Sequence, residues 1–357
     1  MSNISEDKAT TVLATAAEGG SDRPKIGITT TVPLEIILAA GFVPLDLNNL
    51  FISHNNSLHL VHEAEIQGFP RTLCAWIKGI YSAARREKIS QIVAVTQGDC
   101  SNTQALIEML SLEGIRIVPF AYPYDRDREL LRLQMERLRQ ALGCSWEEAM
   151  AMKERLDTIR RKVHQIDRLS WADGGGVVSG FENHYYQVSC SDMQADPEKF
   201  EAKVDQFLAE LSTRSRMEEK VRLGFIGVPP IFTDLYPLIE SLEGRVVFNE
   251  VQRQFSMPGC GQGEDLVEQY LRYTYPYDIF ARIADIKEQI AVRRIDGLIH
   301  YVQSFCFHRL EDLIVRKSIH MPILTLEGDN PGQIDARTRI RIESFLQVLK
   351  ERKECGC

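Results

Sequence analysis

Apolar and polar positions along this chain follow two periods in turn. Short β-branched runs recur, and each gives way to a stretch whose apolar residues return every three or four positions. The first run is Lys25-Ile26-Gly27-Ile28-Thr29. A helix follows from Pro33 to Ala40, with proline near its start and Gly41 at its close. Phe42-Val43-Pro44-Leu45-Asp46-Leu47 is a second strand. Strand, helix and strand on short joints predict a parallel sheet.

Beyond a polar loop at His54-Asn55-Asn56, helices are expected from Leu58 to about Gln67 and around Cys74 to Tyr81. The run Ile92-Val93-Ala94-Val95-Thr96 stops at Gly98-Asp99, and Ala105, Leu106, Met109 and Leu110 then mark a helix. Ile115 to Phe120 is the next strand. From Asp125 to about Leu169 the pattern is wholly helical, broken at Gly143, and reads as a solvated hairpin. Gly174-Gly175-Gly176 lacks the strand-then-helix setting of a phosphate loop. Pro197 to Leu211 is a helix, and Ser212 to Lys220 a charged linker.

A second series then starts. Strands are expected at Val221–Gly227, Arg245–Phe248, Gly297–Val302 and Pro322–Leu326. Helices fall between them, and a long one closes the chain from about Asp335 to Lys350. The resulting division is a disordered lead over 1–24, an α/β lobe over 25–124, a helical insertion and linker over 125–220, and a second α/β lobe over 221–357. The two lobes rhyme. Each places a cysteine just past a mid-domain strand, Cys100 in one and Cys306 in the other. Sheets facing one another across a cleft would bring those edges together.

Composition narrows the classes. A chain of 357 residues suits about two domains. A net charge of −8 leaves no basic excess to hold a phosphate backbone, which argues against a nucleic-acid partner. No run approaches the ~18 apolar residues needed to span a bilayer. The polar lead lacks the apolar core of a signal peptide, so a cytoplasmic protein without a membrane partner is expected.

There are eight cysteines and no Cys-x-x-Cys pair. In a cytoplasmic setting metal binding or redox chemistry outweighs disulfides. Any metal site must then draw on distant segments. Cys74, Cys100 and Cys306 share one setting, near a helix start, where backbone N–H groups and the helix dipole lower a thiol's pKa. Three converging thiolates suit an iron–sulfur cluster with one open iron better than a closed four-ligand zinc site. The same positions also read as small buried residues. His300 and His308 flank Cys306, and Glu327 ends a strand at the same edge. Each is readable as a structural side chain or as a proton carrier.

Several segments together carry a family resemblance. Thr29-Thr30-Thr31-Val32-Pro33-Leu34-Glu35-Ile36-Ile37 with Gly41-Phe42-Val43-Pro44, then Cys74, Gly98-Asp99-Cys100 and Phe305-Cys306-Phe307-His308, resemble the 2-hydroxyacyl-CoA dehydratase family. That family includes the cluster-bearing subunits of benzoyl-CoA reductase and the double-cubane cluster proteins. The resemblance runs from about Lys25 to Leu349.

It implies two flavodoxin-like, Rossmann-like lobes with parallel sheets and a helical insertion. It implies a 4Fe-4S cluster on Cys74, Cys100 and Cys306, and oxygen sensitivity. It implies an ATP-hydrolysing iron–sulfur activator that donates a low-potential electron for radical dehydration or reduction. A homodimer or a heterodimer with a paralogous subunit belongs to the same expectation. The double-cubane relatives carry an 8Fe-9S cluster, for which Cys190 and Cys260 are candidate additional ligands. The alternatives are a small-molecule reductase of that kind, a non-catalytic structural subunit, and a zinc-bound or metal-free binding protein.

Overall fold

The computed structural model describes residues 23–172, 176–261, 263 and 265–355. The lead expected over 1–24 lies almost wholly outside them, as do Gly174, Gly175 and Cys357. The chain opens with β1 (Lys25–Ile28), α1 (Leu34–Ala39), β2 (Val43–Asp46), α2 (Leu47–Ile52), α3 (Ser57–Ile66) and α4 (Ala75–Arg86). It continues through β3 (Gln91–Gln97), α5 (Ser101–Leu112), β4 (Arg116–Ala121), α6 (Arg128–Leu142), α7 (Trp146–Trp171), α8 (Gly180–Val188) and α9 (Pro197–Leu211). The second series is β5 (Val221–Gly227), α10 (Leu235–Ser241), β6 (Gly244–Asn249), α11 (Glu250–Phe255), α12 (Leu266–Arg272) and α13 (Ile279–Arg293). β7 (Gly297–Val302), α14 (His308–Ser318), β8 (Ile323–Glu327) and α15 (Ala336–Cys355) complete it.

Two four-stranded sheets result, in the orders β2-β1-β3-β4 and β6-β5-β7-β8. Every pairing in them is parallel. This is the doubly wound α/β arrangement that the alternating pattern implied. Helices cover both faces of such a sheet, so its central strands are apolar throughout rather than alternating. β5 and β7 are buried at every position.

Local chemistry sets the helix ends. Asp127 accepts a hydrogen bond from Leu130 N–H at the head of α6, and Gly143 closes it at φ 87°. Ser179 and Glu182 form a reciprocal capping box on α8. Three helices, α2, α8 and α11, arise where the sequence predicts no helix, and the first and last of them have six residues. Those two follow directly on strand ends, and Asp46 caps α2 through Asn48 N–H.

The chain divides into two compact units. The first comprises Met1–Leu156 with two later segments, Ser191–Pro197 and Asp265–Leu271. The second comprises Asp157–Cys190, Glu198–Glu264 and Arg272–Cys357.

In the first unit, Leu45, Ile77, Ile80, Tyr81, Ile92 and Leu110 belong to one core, against which both Cys74 and Cys100 pack. The two later segments enter it through buried carboxylates. Asp46 N–H donates to Asp192 Oδ2 at 2.9 Å, and Ser191 Oγ donates to Asp46 Oδ2 at 2.6 Å. Glu35 accepts from Gln269 Nε2 and from Tyr270 Oη, each at 2.9 Å.

In the second unit, Ile226, Val247, Phe248, Ile286 and Leu298 centre the core. Its polar interior is held by Arg293, which donates to both Asp167 oxygens at 2.9 and 2.6 Å. No helix among the described residues is long and apolar enough to cross a membrane.

Candidate functional site

Cys74 and Cys100 occupy equivalent places in the first unit. Cys74 is the N-cap of α4 and Cys100 the N-cap of α5, and neither side chain caps its helix. Cysteine is a poor N-cap, because its weakly accepting sulfur satisfies few backbone N–H groups. Both are half-buried and outside any disulfide.

The turn before Cys100 is held by the neighbouring acid. Asp99 Oδ1 accepts from Cys100 N–H at 2.8 Å, and Oδ2 accepts from Thr103 Oγ1 at 3.1 Å. Thr103 Oγ1 also lies 3.6 Å from the Cys100 sulfur, and either atom can donate.

The electrostatics of Cys100 differ from the sequence expectation. A helix N-terminus was expected to lower its pKa. Burial and the Asp99 charge instead push the thiol up, and together they outweigh the opposing hydrogen bonds from Thr103 and Asn102. The Asp99 carboxyl is itself raised to about 6, chiefly by loss of solvent. A metal ion would have to displace the thiol proton, as thiolate ligation requires.

Cys306 belongs to the second unit, in the turn between β7 and α14. Its N–H donates to Gln303 O at 3.1 Å, and its carbonyl accepts from Arg309 N–H at 3.0 Å. Phe305 and Phe307 on either side are exposed.

His308 begins α14 in the interior. Its Nδ1 lies 2.5 Å from Glu311 Oε2 and 3.2 Å from Arg282. Burial lowers its pKa. Arg282 also donates to Glu250 at 2.7 and 3.1 Å and to Glu311 at 2.6 Å, so one guanidinium joins α11, α13 and α14.

His300 is fully buried on β7, with Nδ1 2.7 Å from Asp312 Oδ1. That carboxylate also accepts from Arg316 and Thr325 at 2.7 Å each, and these donors with His300 hold its pKa well below the ordinary value despite burial. An ionised Asp312 can only accept, which assigns the proton to His300 Nδ1. Glu327, by contrast, is exposed and pairs with Arg309 at 2.8 Å.

The other candidate thiols are engaged within their own units. Cys190 is buried, and its sulfur donates to Tyr186 O at 3.4 Å. Cys260 is buried in the turn after α11. Cys144 is buried and donates to Ile36 O at 3.6 Å, whereas Cys355 is exposed.

Among the described residues no group of three or more His, Cys, Asp or Glu side chains is gathered to hold a metal ion. Cys74 and Cys100 lie in one unit and Cys306 in the other. Three polar atoms on the same segments are nonetheless buried without a hydrogen-bond partner among the described residues. They are Trp76 Nε1, two residues from Cys74, His308 Nε2, two residues from Cys306, and His300 Nε2. An unsatisfied buried polar atom costs about 1–3 kcal/mol. An indole N–H needs an acceptor, and inorganic sulfide or thiolate is one. Half-buried thiols on a segment that also carries an orphaned indole N–H fit a thiolate-held cluster.

The sequence assigns no role to Trp76, Lys78 or Arg282, and it marks Asp99 only as part of the Gly98-Asp99-Cys100 turn. Lys78 leaves a trace, as a lysine within the otherwise apolar Trp76-Ile77-Lys78-Gly79-Ile80.

These features define a class of parallel α/β protein with two similar sheets and a cysteine at the strand-to-helix edge of each. Its family can be stated. The chain belongs to the 2-hydroxyglutaryl-CoA dehydratase D-component family, whose model matches residues 29–349. A comparison with curated proteins finds no match.

Proposed function

We propose that this chain is an iron–sulfur subunit of the 2-hydroxyacyl-CoA dehydratase type, or of a related ATP-coupled reductase. Cys74, Cys100 and Cys306 are its thiolate ligands to a 4Fe-4S cluster. One observation supports this most directly: Cys74 and Cys100 both stand at N-cap positions they do not cap, on helices packed against one core. Such placement caps neither helix, and it sets two half-buried thiols at helix starts on one core, as ligation by both would require.

When bound, the cluster supplies one-electron chemistry and an open iron for substrate. The chain's own residues orient and protect. Asp99 fixes the backbone of Cys100. Arg282 fixes the start of α14, just after Cys306. Proton movement falls to His300 and His308, whose Nδ1 atoms face carboxylates and whose Nε2 atoms remain for a bound group. Glu327 is the third candidate, and its ion pair with Arg309 would have to open first.

The electron would come from an ATP-hydrolysing iron–sulfur activator, and the working enzyme would be a homodimer or a heterodimer with a paralogue. A second cluster would draw on Cys190, whose thiol would first have to leave Tyr186 O, and on Cys260.

The test is anaerobic purification, followed by iron and acid-labile sulfide determination and EPR of the reduced protein. Iron and sulfide in equal amounts, and a marked fall in Cys100→Ser, are expected. Protein that holds neither element after reconstitution overturns the proposal.

A further inference from the structure

Lys78 is an unusual residue for its position. It lies one helical turn beyond Cys74, and its backbone N–H donates to the Cys74 carbonyl at 3.3 Å. Its side chain is only 2% exposed, in a helix whose other inward residues are Ile77, Ile80 and Tyr81. The ammonium reaches two acceptors. It donates to Glu65 Oε1 at 2.7 Å and to the backbone carbonyl of Arg71 at 3.2 Å.

Those acceptors belong to different pieces of chain. Glu65 is in the last turn of α3, and Arg71 is in the irregular connection that runs into Cys74. That connection has other ties as well: Gly68 N–H donates to Glu65 O at 3.0 Å, Phe69 N–H donates to Ala64 O at 3.1 Å, and Phe69 and Leu73 pack on the core. Leu73 N–H donates to Pro70 O at 3.0 Å, and the Phe69 ring rests on Tyr81 with centroids 4.6 Å apart. Gly68, at φ 103°, turns the chain out of α3. Lys78 thus grips the backbone on both sides of Cys74, through its own N–H after it and through Arg71 O before it.

An ion pair with one partner buried and the other half-buried is a poor way to gain stability. An apolar side chain of similar volume commonly does as well or better, since it avoids stripping water from two charges. Methionine would fill the space of Lys78 but could not hold the Arg71 carbonyl. What the lysine adds is a fixed path for the loop that delivers Cys74. Groups that orient a metal ligand without touching the metal typically change affinity or activity 10–100-fold when removed.

We infer that Lys78 is a positioning residue that holds the Cys74 loop in place for ligation. The inference rests on the cluster reading above. Its test follows iron loss from the anaerobically purified protein to a ferrous chelator, alongside iron content and thermal unfolding. Lys78→Met is expected to fold with an unfolding midpoint near that of the unmodified protein, yet to lose iron about tenfold faster or more. Lys78→Arg, which keeps a charged donor, should recover most of the slow phase. Lys78→Leu carries the same expectation as Lys78→Met, should the latter fail to fold.

Iron loss at the unmodified rate in the Met or Leu variant, with Cys74→Ser depleted of iron, overturns the inference and leaves the cluster reading standing. Full iron in Cys74→Ser removes Cys74 from the ligand set, and the role of Lys78 with it.

Discussion

Two carboxyl groups meet where β2 ends, and their titration is a property of single residues. Asp46 and Asp192 are both buried, and Asp46 N–H donates to Asp192 Oδ2. Burial raises both, and the Asp46 charge helps push Asp192 to about 7. A carboxyl raised on folding binds more protons in the native than in the unfolded state. Its contribution is therefore complete below the unfolded value, near 4, and is lost as pH rises towards 7. Asp46→Asn removes the like charge and so lowers the native pKa of Asp192. The variant should gain on the unmodified protein as pH rises, with a larger difference in thermal midpoint at pH 7.5 than at pH 5. An equal difference at both pH values would mean that the pair does not share its charge in this way. The sequence offers no route to this pair, because 146 positions separate the two residues. The same limit applies to Cys100. A helix N-terminus is legible in one dimension, whereas the desolvation that overrides it is a property of what packs around the thiol.

At the scale of elements, the helix and strand periods were readable wherever they ran long enough. All eight strands fall within a residue or two of where their β-branched runs stand, because strands buried on both faces must be continuously apolar. The helices that escaped are α2 and α11, six residues each, and α8, nine, all with few turns for a period to declare itself. Yet α2 has a consequence for its neighbour. Gly79 lies inside α4, where helix propensity alone favours alanine by about 1 kcal/mol. A Cβ there would sit within the Phe51 ring of α2. Overpacking of that kind costs about 1–3 kcal/mol and should outweigh the propensity gain. Gly79→Ala is therefore expected to destabilise by about 1–2 kcal/mol, read from the urea midpoint at unchanged slope. A stabilised variant would mean that α2 yields without cost. The edge strand β8 shows a second arrangement that only the fold reveals. Its carbonyls at Ile323 and Thr325 accept from Arg316 at 3.3 Å and Arg341 at 2.6 Å, which blunts an edge otherwise open to strand addition.

For the whole molecule, the informative feature is that neither compact unit is one continuous stretch. The first takes Ser191–Pro197 and Asp265–Leu271 from the later part of the chain. Ser191 and Asp192 meet Asp46, and Gln269 and Tyr270 meet Glu35. A fragment of residues 1–156 would keep the whole first sheet but leave both carboxylates without these partners. Losing a hydrogen bond to a charged group costs about 1.5–3 kcal/mol. The fragment should therefore show helical far-UV signal without a cooperative thermal transition, and cleavage by dilute protease that the full chain resists. A cooperative, resistant fragment would show that β1 to β4 and their helices suffice. Sequence alone settled the parallel α/β class, the duplication of the strand series and the placing of a cysteine at the strand-to-helix edge of each half. These are encoded by neighbours within about a dozen positions, where period and turn chemistry act. Tertiary structure alone decided which later segments complete the first unit, which carboxyls hold protons, and that Lys78 and Arg282 brace the turns carrying Cys74 and Cys306. Those depend on burial and on charges meeting across long sequence separations, which no local pattern records.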